Sequence, residues 1–245
     1  GVGPICVAKH LVDFLPSHAV VKTGGEQGIH AVSAAPYGSV SMLPVTYGYL
    51  LMLGAEGLKH VTEMAILNAN YLASSFEKLG FKILFKGKQG RVGHEMIWDC
   101  SAFNKEYGIS ELDIAKRLMD FGFHAPTLSF PVHGTLMVEP TESEPKEELD
   151  RFIEALKTIR EEMCEVAEGK ADKTDNVLKN APHTHKVLTA DEWTHTYPRS
   201  KAAYPLPWVA ENKFWPQVGR VDDGYGDRNL MCTCDPLYDY VNDEN

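Results

Sequence analysis

The spacing of apolar residues changes abruptly at Gly80, and that change constrains the fold more than any other feature of the chain. Before it, Leu58, Val61, Ala65, Asn68, Leu72, Phe76 and Leu79 recur at steps of three and four, the stripe of a helix with one buried face. Beyond it, Phe81 to Lys86 and Glu95 to Cys100 read as strands bounded by Gly87, Gly90 and Gly93. Ser110-Glu111-Leu112-Asp113 resembles a capping box and opens a helix through Leu118 to Phe121, closed by Gly122. Two more strands, Thr127 to Phe130 and Thr135 to Val138, are broken by Pro131, Gly134 and Pro140. Leu149, Phe152, Ile153, Leu156, Ile159, Met163 and Val166 then mark a long amphipathic helix ending at Gly169, with Ser143 or Glu144 as its N-cap and Pro145 in its first turn. Strand, strand, helix, strand, strand, helix predicts an α+β module, a small sheet with helices on one face.

Upstream, Ile5, Val7, Ala8, Leu11, Val12 and Phe14 suit an amphipathic helix that stops at Pro16. Thr23 to Pro36 reads as a loop. Residues 40–53 are apolar nearly all round and predict a buried helix, interrupted by Gly54 and Gly57. Asn68, the one polar member of the long stripe, is expected to tie down backbone. From Lys170 onward no period is sustained, which predicts an extended tail with short pieces of helix or strand. Its Trp193, Trp208, Phe214, Trp215 and tyrosines are expected to clamp it onto a partner surface. Three parts follow: 1–80, 81–169 and 170–245.

A formal net charge of −10 argues against a binder of nucleic-acid phosphates, which needs clustered Lys and Arg. The basic run at Lys82, Lys86, Lys88 and Arg91 reads as a solvated turn. No apolar run reaches the roughly 20 residues of a membrane helix, and no signal peptide opens the chain. The opening Gly1-Val2-Gly3-Pro4 carries no Met, as expected of a fragment or a processed chain. Five scattered cysteines do not make a disulfide framework and fit a reducing compartment. Cys232-x-Cys234 and His183-x-His185 lack the two-residue spacing usual for structural zinc, so idle thiols are expected and no metal site.

Candidate chemistry concentrates in two places. Tyr37, Ser39 and Ser41 offer hydroxyls, and Gly38 permits close backbone approach; Ser39 or Ser41 also fits a helix cap. His94-Glu95 and His124 stand at strand starts, His133 in a turn, and Glu139 and Glu142 flank Pro140. Histidines there could move protons or orient a carboxylate, and the acids could anchor an amine. Each also has a purely structural reading, the acids as favourable charge near a helix N-terminus.

His124 to Glu144 resembles the C-terminal region of the glycine-cleavage P-protein family. So do Gly1 to Ile5, Ser33 to Ser39 with Leu43-Pro44, Ile66 to Tyr71, and Glu211 to Pro216 with Asp227, Leu230 and Cys232-Thr233-Cys234, in the same order along nearly the whole chain. The resemblance implies the α/β architecture of a fold type I pyridoxal-phosphate enzyme, with residues 81–169 as its small domain. It implies a decarboxylase that releases CO2 from glycine and passes the aminomethyl group to the lipoyl arm of an H-protein. The lysine that carries pyridoxal 5′-phosphate is implied to lie upstream of residue 1, so no catalytic residue is assigned here and the chain alone should be inactive.

Gly1, Gly3, Ser39 and Ser41 are the candidate cofactor contacts. Tyr37, His94, His124 and Glu139 are the candidate substrate-pocket residues. Partners implied are the lipoylated H-protein, the upstream part of the same protein, and a second copy or a pseudo-dimeric half, with no nucleic acid and no membrane. A eukaryotic source would imply the mitochondrial matrix and a bacterial one the cytoplasm. Two other readings stay open: a non-catalytic interaction module with the same small-domain fold, and a related pyridoxal-phosphate enzyme acting on another amino acid.

Overall fold

The computed structural model describes residues 3–230 and divides the chain into two units, Gly1–Glu63 and Met64–Asn245. In the first, the stretch expected to be an amphipathic helix forms only a 3-10 helix, Lys9–Phe14, with no buried residue. A helical segment this short gains little without an apolar face to cover, and none covers Leu11, Val12 or Phe14. The following loop is closed by the Ser17 amide and hydroxyl, each donating to the Ile29 carbonyl at 2.8 Å. Gly24 and Gly28 are required there, because a Cβ at either would sit 2.2 Å from the Leu15 carbonyl oxygen. A second 3-10 helix, Val40–Met42, leads into α1, Leu43–Lys78, which is broken at Gly54 where φ is 61°. Gly57, the other expected interruption, does not break it.

The helix expected to be buried at 40–53 is instead exposed, with Val45, Tyr47, Leu51 and Met52 all open and Met52 at 81%. Nothing in the first unit provides a second layer over it; no described residue before Asn68 is buried.

The second unit begins within α1, at Met64, and holds the core. It contains β1 (Lys82–Leu84), β2 (Met96–Asp99), α2 (Ser101–Tyr107), α3 (Glu111–Asp120), β3 (Thr127–Leu128), β4 (Thr135–Val138) and α4 (Lys146–Ala167). The sheet is antiparallel in the order β1-β2-β4-β3, with Trp98 opposite Ile83 and Leu136 and with Leu136 opposite Leu128. Alternate residues Ile83, Met96, Trp98, Leu136 and Val138 enter one core, as the two-residue period of a strand requires. There they meet Leu72 and Phe76 of α1, Ile114 and Leu118 of α3, and Leu149, Leu156, Ile159 and Met163 of α4. Phe76 and Phe81 pack against Trp98 with ring centroids 5.4 and 4.6 Å away. The indole Nε1 of Trp98 is buried there without a hydrogen-bond partner.

The α3 capping box forms as expected. Asp113 N donates to the Ser110 hydroxyl at 3.3 Å and Ser110 N to the Asp113 carboxylate at 2.9 Å. At α4 the cap differs: Pro145, not Ser143 or Glu144, is the N-cap. Pro145 has no N–H to leave unpaired and its carbonyl accepts from Glu148 N at 3.0 Å. Asn68 ties down backbone as expected, its Nδ2 donating to the carbonyls of Thr141 at 3.0 Å and Glu144 at 3.3 Å. It thereby braces Thr141, a β-branched residue held at a φ of 56°.

The tail adds α5 (His185–Leu188), α6 (Arg199–Ala203), α7 (Pro207–Glu211) and α8 (Asp223–Arg228). Much of it packs on its own domain: Val177, Leu178 and Val209 enter the core. A buried charge cluster reinforces this. Arg117, wholly buried on α3, grips Glu162 through Nε at 3.0 Å and a terminal nitrogen at 2.6 Å, and Asp120 at 3.0 Å. The same guanidinium donates to the carbonyls of Lys201 at 3.0 Å and Ala202 at 3.3 Å in the tail. Asp120 also takes the His183 backbone N–H and ring Nδ1, both at 2.7 Å. The other ring nitrogen of His183 meets the Tyr197 hydroxyl at 2.8 Å. Burial raises the Asp120 pKa, but the His183 hydrogen bond and the Arg117 charge outweigh it and hold the carboxyl below its ordinary value.

Candidate functional site

The second unit carries a groove of about 430 Å³ between the segment leaving α3, the end of β4 and the start of α4. Gly122, at a φ of 85°, turns the chain out of α3; its N–H donates to the Met119 carbonyl at 3.0 Å and that of Phe123 to Leu118 at 3.1 Å. His124, Ala125, Pro126 and Thr127 then run along one wall. Leu72, Val138, Leu149 and Phe152 supply an apolar floor, and Glu139, Glu144 and Glu148 supply carboxylates. Lys and Arg are absent from the lining among the described residues, so the groove offers an apolar, partly aromatic bed edged by one imidazole and by carboxylates, of which Glu148 is paired with Arg151.

Two of the substrate-pocket candidates, His124 and Glu139, therefore line the same groove. His94 lies outside that lining but its Nε2 is 3.7 Å from a Glu139 carboxylate oxygen and 3.8 Å from one of Glu95. At those separations the carboxylates steer the imidazole without a formed hydrogen bond. Glu142 and His133 are exposed and do not reach the groove.

The other candidates belong to the first unit. Tyr37 is exposed, and its hydroxyl and those of Ser39 and Ser41 make no hydrogen bond among the described residues. Ser39 is the N-cap of the Val40–Met42 helix by position, but its side chain caps nothing, leaving the hydroxyl for another acceptor or donor. Gly38 holds a φ of 74°, which a residue with a Cβ adopts only with strain. A Cβ placed on Gly3 would meet nothing within 4 Å. Gly1, Cys232 and Cys234 lie outside the described residues.

For a phosphate-bearing cofactor held as an imine, the chain meets one need of two. Free hydroxyls beside a glycine turn suit a phosphate. The chain's most perturbed lysine is Lys213, whose ammonium burial pushes down to about 8; it is committed to the Asp120 carbonyl at 2.7 Å and does not line the groove. Among the described residues no group of acids, histidines and cysteines is placed to hold a metal ion. No helix among them is long and apolar enough to cross a membrane.

Sequence reasoning missed the Arg117 cluster. The signal was there in retrospect, because Arg117 and Asp120 sit three apart on the inward stripe of a helix, and a charged pair in that position has to be satisfied inside.

The family described as "Glycine dehydrogenase, C-terminal domain" matches residues 61–183, half of the chain. The chain is 61% identical over 241 residues to a glycine dehydrogenase (decarboxylating) of Flavobacterium johnsoniae and 56% identical to that of Bdellovibrio bacteriovorus. It is also 56% identical to a mitochondrial glycine dehydrogenase (decarboxylating) of Dictyostelium discoideum. These alignments cover 98% of this chain but only 24–25% of each relative, so the chain spans about a quarter of their length.

Proposed function

We propose, because this chain belongs to the glycine dehydrogenase C-terminal domain family, that it is the C-terminal quarter of a glycine dehydrogenase (decarboxylating). The observation that carries the reading is identity of 56–61% with such proteins across nearly all of this chain. The proposed whole protein binds pyridoxal 5′-phosphate, releases the carboxyl of glycine as CO2 and hands the aminomethyl group to the lipoyl arm of an H-protein. When bound, the cofactor supplies an electron-accepting ring for the pair left as the carboxyl departs.

This chain's own residues have narrower parts. Ser39 and Ser41 present hydroxyls to the phosphate beside the turn at Gly38, and Gly1 and Gly3 offer it backbone. Tyr37 offers a phenol to the same pocket. His124 and Glu139 act in the groove, His124 as a proton carrier and Glu139, with His94 3.7 Å away, as an anchor for a cationic group. The carrier lysine belongs to the rest of the protein. Residues 1–80 are assigned to the end of the cofactor-domain region and connecting helices, 81–169 to the small domain and 170–245 to an extended aromatic-rich C-terminal segment. The proposed partners are the lipoylated H-protein, the remainder of the same protein, and a second copy or pseudo-dimeric half. The proposed compartment is the mitochondrial matrix for a eukaryotic source and the cytoplasm for a bacterial one.

The test uses the full-length protein loaded with pyridoxal 5′-phosphate and followed by absorbance. Glycine should perturb the cofactor band where serine and alanine leave it unchanged, and the 245-residue chain alone should show no lysine-bound band. A full-length protein whose band forms but ignores glycine would overturn the assignment.

A further inference from the structure

Phe123 is the wall residue of the groove that is held from two sides. Its ring meets Phe152 of the groove floor edge-on, with centroids 5.1 Å apart, and meets Trp208 of α7 at 6.2 Å and 78°. Trp208 is fixed in turn. Its indole Nε1 donates to a Glu154 carboxylate oxygen at 2.8 Å, and the Arg151 guanidinium lies 4.4 Å from the ring centre. A few residues on, Lys213 Nζ donates at 2.7 Å to the Asp120 carbonyl at the end of α3, which no backbone N–H among the described residues takes up. The next residue closes the contact: a Cβ placed on Gly122 would lie 3.7 Å from that of Phe214. The wall itself has little backbone support, since the amides of His124 and Ala125 make no hydrogen bond among the described residues.

We infer that residues 207–214 are a latch that sets the width of the groove. Docked, Trp208 and Lys213 press Phe123 and the Gly122 turn toward α4. Lifted, they leave Phe123 with Phe152 as its one aromatic neighbour, and the wall moves outward. Any molecule seated against Phe123 and the docked latch then stabilise each other, because both act on one side chain and the coupling is reciprocal. The inference stands on this packing alone and is independent of the reaction assigned to the whole protein.

Hydrogen exchange on the full-length protein, with the methyl signals of Leu72, Val138 and Leu149 followed by NMR, tests it. In Trp208→Leu the Gly122 and Phe123 amides should exchange roughly tenfold faster or more, while Ile97 and Trp98 in the sheet keep the parent rates and the floor methyls shift. Faster exchange at Val209 with Gly122, Phe123 and the methyls unchanged would show a tail that undocks without moving the wall, and would overturn the inference. Should Trp208→Leu also release Ile97 and Trp98, the decision passes to Lys213→Gln, which removes only the part-buried contact to the Asp120 carbonyl. There the same amides should exchange about threefold faster, and parent rates would overturn the inference.

Discussion

At the scale of single residues, the strongest commitments are polar groups with no water to fall back on. Arg117 is wholly buried and satisfies Glu162, Asp120 and two tail carbonyls at once. Arg117→Met leaves the buried Glu162 charge without a partner and the Asp120 charge with the His183 hydrogen bonds alone, and a loss of about 3–5 kcal/mol is expected from urea unfolding. Replacing Glu162 by Leu in the same variant should recover part of that loss, because one of the stranded charges is gone. Asn68→Ala strands the Thr141 and Glu144 carbonyls and removes the brace on a strained residue; about 1–3 kcal/mol should be lost.

Lys213 makes a prediction of opposite sign. Burial depresses its folded-state pKa from 10.5 to about 8, so between those values the unfolded chain holds a proton that the folded one has released. Stability contributed by this group therefore rises as pH climbs from about 8 to 10.5, and it is least below 8, where the buried ammonium is charged. In Lys213→Met that rise should vanish from the difference between unfolding free energies measured across the window. A variant that keeps the parent slope would show that Lys213 does not titrate there.

At the scale of elements, what could be read from the sequence was what local chemistry decides. The Ser110–Asp113 box, the Thr135–Val138 strand and the apolar stripe of α4 appear where caps and periods put them. Ser110→Ala should cost α3 about 1 kcal/mol, seen as a lower melting temperature with the sheet's exchange pattern retained. What could not be read depended on distant partners. Ser101–Tyr107 forms a helix whose short, weakly periodic sequence carries no stripe, and it is closed by Gly108 at a φ of 68°. The α4 cap moved to Pro145 because Asn68, far away in sequence, takes the Glu144 carbonyl. The tail was legible as irregular, but its docking on α3 and α4 rests on Arg117, Asp120 and Glu162, which no tail residue announces. Of the site, the concentration of chemistry around His124 and Glu139 was legible, whereas the groove that joins them needed β4, α4 and the turn at Gly122 together.

At the scale of the molecule, each of the two units has its own character: among the described residues the first has none buried, and the second has an extensive apolar core that part of its own tail joins. The apolar helix at 40–53 is open in the first unit, and the groove with its carboxylate edge lies in the second. The relatives are about four times as long as this chain, and under the proposed function both units are parts of one larger enzyme. The function proposed for the full-length protein is removal of the carboxyl of glycine. Its most direct test is release of labelled CO2 from carboxyl-labelled glycine by the full-length protein with pyridoxal 5′-phosphate and lipoylated H-protein. Label release that requires the H-protein, and is absent from the isolated 245-residue chain, is expected. No release from the complete, cofactor-loaded system, or equal release from labelled serine or alanine, would contradict it.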